Sequence, residues 1–100
     1  MVRTNEQELK AARAAKAAIN ALSTTAPKLA VSATLGKANH AAILNLSSGG
    51  ALNEARANVS IELSNLIHER GPPKPQSIDR AKHAIEVWIR ELEASAASWF

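Results

Sequence analysis

The sequence predicts an all-α protein, a compact antiparallel bundle of four helices. Alanine occurs 21 times among the 100 residues and tyrosine is absent, a composition that favours close-packed helices over strands. From Ser77 to Phe100, apolar residues fall on one helical arc and charged residues on the opposite arc. Because this stretch holds both tryptophans, we expect it to supply most of the bulk of the core, with Trp88 buried.

The first helix is expected over about residues 4–22. Thr4 with Gln7, or Asn5 with Glu8, can form a reciprocal capping box at its start. The apolar face is mostly alanine, which allows close approach to a neighbouring helix but contributes little burial per residue. The predicted buried residues are Ala12, Ala15, Ile19 and Leu22, flanked by Ala11 and Ala18.

The second helix, over about 26–47, follows a break at residues 23–27, where Pro27 suits a first helical turn. Its apolar residues lie on two arcs. Leu29, Ala33, Ile43 and Leu44 form one arc, and Val31, Leu35, Ala38, Ala42 and Leu46 form the other. Either this is a central helix with neighbours on two sides, or it breaks at Gly36 and makes a fifth helix, because an interior glycine costs about 1 kcal/mol.

The third and fourth helices are expected over about 51–70 and 77–98. Gly71 and the prolines behind it predict the end of the third helix, and Ser77 predicts the cap of the fourth. The buried face of the third is predicted to be Leu52, Ala55, Val59, Leu63, Leu66 and Ile67. That of the fourth is predicted to be Ile78, Ala81, Ile85, Trp88, Ile89, Leu92, Ala96 and Trp99.

Length and composition predict one helical domain over residues 1–100. The chain has no cysteine, which excludes disulfides and thiolate metal sites. Its first ten residues lack the apolar run of a signal peptide, and no stretch of about 18 apolar residues could span a bilayer. We therefore expect a cytoplasmic protein with no membrane partner.

Charge is distributed unevenly along the chain. Residues 1–50 carry six basic and two acidic groups, or +4, whereas residues 51–100 carry six basic and seven acidic groups, or −1. Nucleic-acid binding through the basic half is therefore an alternative function, although no aromatic residue lies among the cations for base stacking. The candidate residues are Lys10, Arg13, Lys16, Lys28 and Lys37. A helix-turn-helix interpretation of 51–70, with Asn53, Arg56 and Asn58 as base-reading residues but also Glu54, is a weak match.

No catalytic or cofactor motif is present. The histidines His40, His68 and His83 show no metal-binding spacing, so we expect no metal, no cofactor and no enzyme activity. His40 shares an arc with Leu29, Ala33, Ile43 and Leu44, and is expected to be buried and hydrogen-bonded. His83 is expected on the surface.

Three apolar residues lie outside the predicted core. Ile61 and Val87 fall on the polar sides of their helices, and Phe100 has no place in the core arc. If Ile61 and Val87 meet, with Ala57 and Ala94, they form a small apolar patch of the kind that marks an oligomer or partner contact. The sequence thus predicts a non-enzymatic interaction protein that docks onto a macromolecule, most readily another protein, with homo-oligomerisation as a further option.

Overall fold

The computed structural model describes residues 2–21, 29–46, 49–71 and 74–97, and the side chains within 6–21, 32–46, 49–71 and 74–95. These residues form four helices and no strand. The helices are α1 (Val2–Ala21), α2 (Leu29–Leu44), α3 (Ala51–His68) and α4 (Pro75–Ala97). The all-α prediction is confirmed, with each boundary within three residues of the expected one. The expected break and caps at 23–27 lie outside the described residues.

The helices pack in a ring. Contacts join α1 to α2, α2 to α3, α3 to α4 and α4 to α1, whereas in the described part of the chain no Cα atoms of the two diagonal pairs lie within 8 Å of each other. α1 and α4, with 20 and 23 residues, are about 30–35 Å long, whereas the two shorter dimensions of the molecule are 21 and 18 Å, so both helices lie along its 43 Å axis. Six-residue connections after α2 and after α3 return the chain on itself, which makes successive helices antiparallel.

The predicted apolar faces of α1, α3 and α4 form the core. Trp88 is fully buried, as expected, and lies among aliphatic side chains from all four helices. The buried apolar residues are Ala12, Ala15, Ile19, Leu35, Ala38, Ala42, Ala55, Val59, Leu63, Leu66, Ala81, Ala84, Ile85, Trp88, Ile89 and Leu92. Leu52, Ile67 and Ile78 pack against this core while partly exposed. The side chains of Leu22, Ala96 and Trp99 lie outside the described set.

α2 is a single helix that continues through Gly36. A Cβ atom added at Gly36 would meet no atom within 4 Å. No neighbouring helix therefore packs so closely that the position must be a glycine. Only one of the two predicted arcs reaches the core, through Leu35, Ala38 and Ala42. α2 contacts two neighbours, α1 and α3, as the unbroken-helix alternative predicted. Of the other arc, Ala33, Ile43 and Leu44 are exposed, so α2 does not use that arc for these contacts.

The connection between α3 and α4 is held by a carboxylate. Glu69 accepts hydrogen bonds from the backbone N–H of Lys74, at 3.1 Å, and from the Ser77 hydroxyl, at 2.5 Å. Because α4 begins at Pro75, Ser77 lies in its first turn, and the prediction that Ser77 caps the helix is wrong. Glu69 instead places a negative charge at the positive end of the α4 dipole, a stabilising arrangement.

A buried polar network links three helices. The Glu8 carboxylate of α1 accepts two hydrogen bonds from Arg56 of α3, both at 2.8 Å, and one from the indole N–H of Trp88 of α4, at 2.7 Å. Glu8 is 1% exposed and Arg56 is 8% exposed. Since α1 and α3 are diagonal in the ring, this ion pair spans the interior of the bundle and joins two helices that are not adjacent.

The network continues to the α2–α3 turn. Arg56 also donates to the side-chain oxygen of Asn53, at 3.2 Å, and the Asn53 amide donates to the carbonyl of Gly49. These contacts correct two predictions. Glu8 binds Arg56 and Trp88 and so does not form a capping box with Asn5, and Arg56 is buried against Glu8 and cannot read bases.

Candidate interaction surfaces

The predicted basic residues are spread over two helices. Lys10 and Arg13 are exposed on α1, Lys16 is half-buried on α1, and Lys37 is exposed on α2. Lys28 lies outside the described residues. Arg13 donates to Glu93 of α4 at 3.0 Å, which partly neutralises it. Because both side chains of this pair are more than half exposed, its contribution to stability is small.

Val87 lies in a groove between α3 and α4. The groove has a volume of about 330 Å³, and alanine side chains leave room for it because they fill little of the space between the helices. Its lining residues are Ala55, Asn58, Glu62, Arg80, His83, Ala84 and Val87. Val87 itself packs partly against the core. The rim carries both signs of charge, so it presents no strong field of one sign.

Ile61 does not line the groove with Val87. It is 57% exposed on the outer face of α3, and Ala57, one turn before it, lines a different concavity beside the α2–α3 turn. The contact of Ile61 with Val87 that the sequence suggested therefore stays a prediction. Phe100 lies outside the described residues.

The histidines lie on the surface. His40 is exposed on α2, so the prediction that it is buried is wrong, whereas His83 is exposed as predicted. His68 has its Nδ1 atom 2.9 Å from the carbonyl oxygen of Ser64 and 3.4 Å from the Ser64 hydroxyl. A carbonyl oxygen only accepts, so Nδ1 carries the proton and is not free to take one from Ser64. This pair therefore does not have the geometry of an activated nucleophile.

In the described part of the chain, most of the large exposed aliphatic side chains are at the C-terminal end of α2. Ile43 is 52% exposed, Leu44 is 72% exposed, and Leu46, just beyond the helix, is 46% exposed. We call the outer side of this segment the α2 face. It comprises the exposed residues Ala33, Lys37, His40, Ile43, Leu44 and Leu46. Three of the four large aliphatic residues that are exposed in the described part of the chain belong to it.

The α2 face has a charged residue near each end. Lys37 lies toward its N-terminal end, and α2 contains no carboxylate. At the other end, Leu46 lines a shallow concavity together with Glu54 in the first turn of α3. Neither Lys37 nor Glu54 forms an ion pair with any residue that the structure describes. Both charges are therefore available to a partner that covers the aliphatic residues between them.

Sequence reasoning did not identify Ile43, Leu44 and Leu46 as partner-binding residues. The sequence did contain a sign of this surface, because α2 has two apolar arcs and a helix that buries one face needs only one. The arc that holds Ile43 and Leu44 was assigned to a neighbour within the chain, whereas both side chains are exposed. Leu46 was placed on the arc of Leu35, Ala38 and Ala42, which is buried, but Leu46 itself is exposed. Amphipathicity identifies an apolar face but does not say which molecule covers it.

Among the residues that the structure describes, no three histidine, aspartate or glutamate side chains are grouped so that they could hold a metal ion. No described helix combines the length and the apolar character needed to cross a bilayer. Comparison of the chain with protein-family models, with curated proteins and with solved structures gave no match. The roles of the α2 face, the α3–α4 groove and the exposed cations therefore follow from the exposure and charge of their own residues.

Proposed function

We propose that this chain is a non-enzymatic interaction protein that binds another protein through the α2 face. The observation that carries the proposal is the exposure of Ile43, Leu44 and Leu46 within four consecutive positions. Burial of a large aliphatic side chain contributes about 1.5–3 kcal/mol, so a partner covering all three gains a substantial driving force. A contiguous apolar patch with a polar rim is typical of protein–protein contacts.

The shape of the α2 face also suits a protein partner. Ala33 is small, and the Cβ position of Gly36 is open, so a partner backbone can approach this half of the helix closely. The bulky residues are at the other end. Helix-in-groove and helix-on-helix recognition use this combination of close approach and a few aliphatic anchors.

The buried network supports a rigid presentation of this surface. Gly49, in the turn that follows Leu46, is bonded to Asn53, and Asn53 to Arg56, which is fixed by Glu8. The turn at the end of the α2 face is thus tied to the centre of the bundle. A surface held in place before binding loses less conformational entropy on association.

Affinity capture with matched variants tests the proposal. Wild-type protein, Leu44→Asp and Ala94→Asp are used as baits under identical conditions, since Ala94 is exposed on α4 away from the α2 face. Proteins bound by wild type and by Ala94→Asp but lost with Leu44→Asp support the proposal. If Leu44→Asp retains every bound protein while its helical circular dichroism is normal, the proposal is wrong.

Nucleic-acid binding remains the alternative, with less support. Of its candidate residues, Arg13 is paired with Glu93, and Lys37 lies within the α2 face beside aliphatic residues. This alternative predicts that binding of a duplex or single-stranded oligonucleotide weakens steeply with salt, in proportion to the phosphates contacted. No binding at micromolar oligonucleotide in about 50 mM salt would eliminate it.

A further inference from the structure

We infer that the buried carboxylate of Glu8 sets the register of α1, that is, the position of this helix along and around its own axis relative to the other three. The apolar side chains of α1 fit two registers. The hydrogen bonds of Glu8 with Arg56 and Trp88 are what distinguish them. This role is independent of which molecule binds the α2 face.

The buried face of α1 is small and nearly uniform. Its fully buried side chains, within the described part of the helix, are Glu8, Ala12, Ala15 and Ile19. Two of these four are alanine, whose single methyl group interlocks little with its neighbours. Uniform contacts of this kind bring helices close together but specify their relative position weakly.

The sequence of α1 repeats this face three residues further along. The spacing of Glu8, Ala12, Ala15 and Ile19 recurs in Ala11, Ala15, Ala18 and Leu22. A slide of three residues moves the helix about 4.5 Å along its axis and rotates it by about 60°. It would put alanine in the place of alanine and leucine in the place of isoleucine, so the apolar contacts change little.

The cations of α1 do not oppose this slide. It moves Lys10, Arg13 and Lys16 by three places each, to positions that are exposed in the structure. The only ion pair lost at these residues is the exposed one between Arg13 and Glu93, which contributes little. A slide of four residues is different, because it puts Lys16 in the place of the buried Ala12.

The buried network excludes the slide of three residues. Both carboxylate oxygens of Glu8 are used, since Oε1 accepts from Nη2 of Arg56 and Oε2 accepts from Nε of Arg56 and from the indole N–H of Trp88. After the slide, the methyl group of Ala11 would lie where the carboxylate lies now. The guanidinium would then be buried without its partner, which is strongly destabilising. A buried polar residue fixes register in the same way in coiled coils.

Removal of both charges provides the first test. Glu8→Ala with Arg56→Met leaves alanine at positions 8 and 11 and no charge in the network, so both registers become available. In ¹H–¹⁵N spectra, wild type is expected to give one indole N–H signal for each of its two tryptophans. The double variant is expected to give additional or exchange-broadened signals, because Trp88 then has more than one environment.

Leu35→Ala is the control for lost stability. It weakens the core but keeps the network, so it should retain one sharp indole signal per tryptophan. If Glu8→Ala with Arg56→Met also gives only two sharp signals, the apolar side chains specify the register by themselves and the inference is wrong.

Transfer of the carboxylate provides the second test, which decides the matter even if the first double variant does not fold. Glu8→Ala with Ala11→Glu is expected to slide α1 by three residues, so that the transferred carboxylate meets Arg56. Its urea midpoint should recover at least half of the loss that Glu8→Ala alone causes. Glu8→Ala with Ala14→Glu, which places the carboxylate at an exposed position, should recover none.

A distance measurement shows whether α1 has moved. Because the chain has no cysteine, Gln7→Cys and Asn65→Cys supply the only thiols for two spin labels, both at exposed positions. Gln7 adjoins Glu8, and Asn65 is nine residues from Arg56, so the line between the labels runs partly along the helix axes. Pulsed electron paramagnetic resonance is expected to give a distance that differs by about 3 Å between wild type and the variant with the transferred carboxylate. An unchanged distance, or a urea midpoint that does not recover, means that something other than the carboxylate holds the register, and overturns the inference.

Discussion

α4 and α2 are both rich in apolar residues, yet they use them differently. Charged residues of α4, such as Arg90 and Glu93, are exposed opposite a buried row that includes Trp88 and Leu92. α2 has a single charged residue, Lys37, and its apolar residues surround the helix. Charged residues therefore orient a helix as well as apolar ones do, because a charge without a partner is costly to remove from water. Where they are scarce, packing against neighbours selects the buried side.

The largest effect is expected from the network that anchors α4 to α1. Glu8→Leu leaves the Arg56 guanidinium buried without its carboxylate and removes the acceptor for Trp88, so we expect a loss of about 3–5 kcal/mol in the free energy of unfolding. Urea denaturation followed by tryptophan fluorescence measures it. Glu6→Leu is the control, because Glu6 is exposed on the same helix and should change stability by less than about 0.5 kcal/mol.

The double variant Glu8→Leu with Arg56→Met refines this prediction. Removing both charges eliminates the uncompensated ion, so the double variant is expected to be more stable than Glu8→Leu alone, as replacement of buried ion pairs by apolar residues often is. Double-variant stability equal to the sum of the two single losses would contradict the pairing of these charges.

The next largest effect compares the two sides of α2. Leu35→Ala creates a cavity in the core and is expected to cost about 2–5 kcal/mol. Leu44→Ala, the same substitution on the α2 face, is expected to change stability by less than about 0.5 kcal/mol at concentrations where the chain is monomeric. The same urea titrations measure both. Equal losses at the two positions would mean that the α2 face is covered within the monomer.

Gly36→Ala is expected to stabilise the protein. The glycine lies inside a helix and an added Cβ meets nothing within 4 Å, so alanine gains about 0.5–1 kcal/mol through lower backbone entropy in the unfolded chain. An increase in the urea midpoint at unchanged slope is the expected result. A decrease would show that the helix requires the freedom of glycine at this point.

The smallest effect is expected from the exposed Arg13–Glu93 pair. Its two side chains are 59% and 53% exposed, so the coupling energy between them should be only about 0.2–1 kcal/mol. A double-mutant cycle of Arg13→Ala and Glu93→Ala measures it, and the coupling should decline further in 1 M salt. A larger coupling that resists salt would mean that the pair is more shielded from water than its exposure indicates.

Prediction from the sequence was most accurate where one period of apolar residues dominated. The buried rows of α1, α3 and α4 were recognised because each shows apolar residues every three or four positions against a polar remainder. Prediction was wrong where a polar residue lay inside such a row. Glu8 and Arg56 are far apart in the sequence, and only the arrangement of α1 and α3 across the interior of the bundle shows that they satisfy each other.

The candidate site was harder to predict than the fold. Ile61 was correctly recognised as lying off the apolar face of its helix, but whether it meets Val87 depends on how α3 and α4 pack, which no local pattern gives. His40 was misplaced with the arc that was expected to be buried. The error at His40 arose because the two arcs of α2 are similarly apolar in the sequence, so the sequence does not show which arc is buried.

The sequence by itself determined the helical class, the near-correct limits of four helices and the burial of Trp88, because these follow from local propensity and from one clear apolar period. Only the tertiary structure decided which side of α2 meets solvent and which charges are buried as a pair. Those outcomes depend on contacts between residues that are distant in the chain, and local sequence patterns do not determine which helices pack against each other.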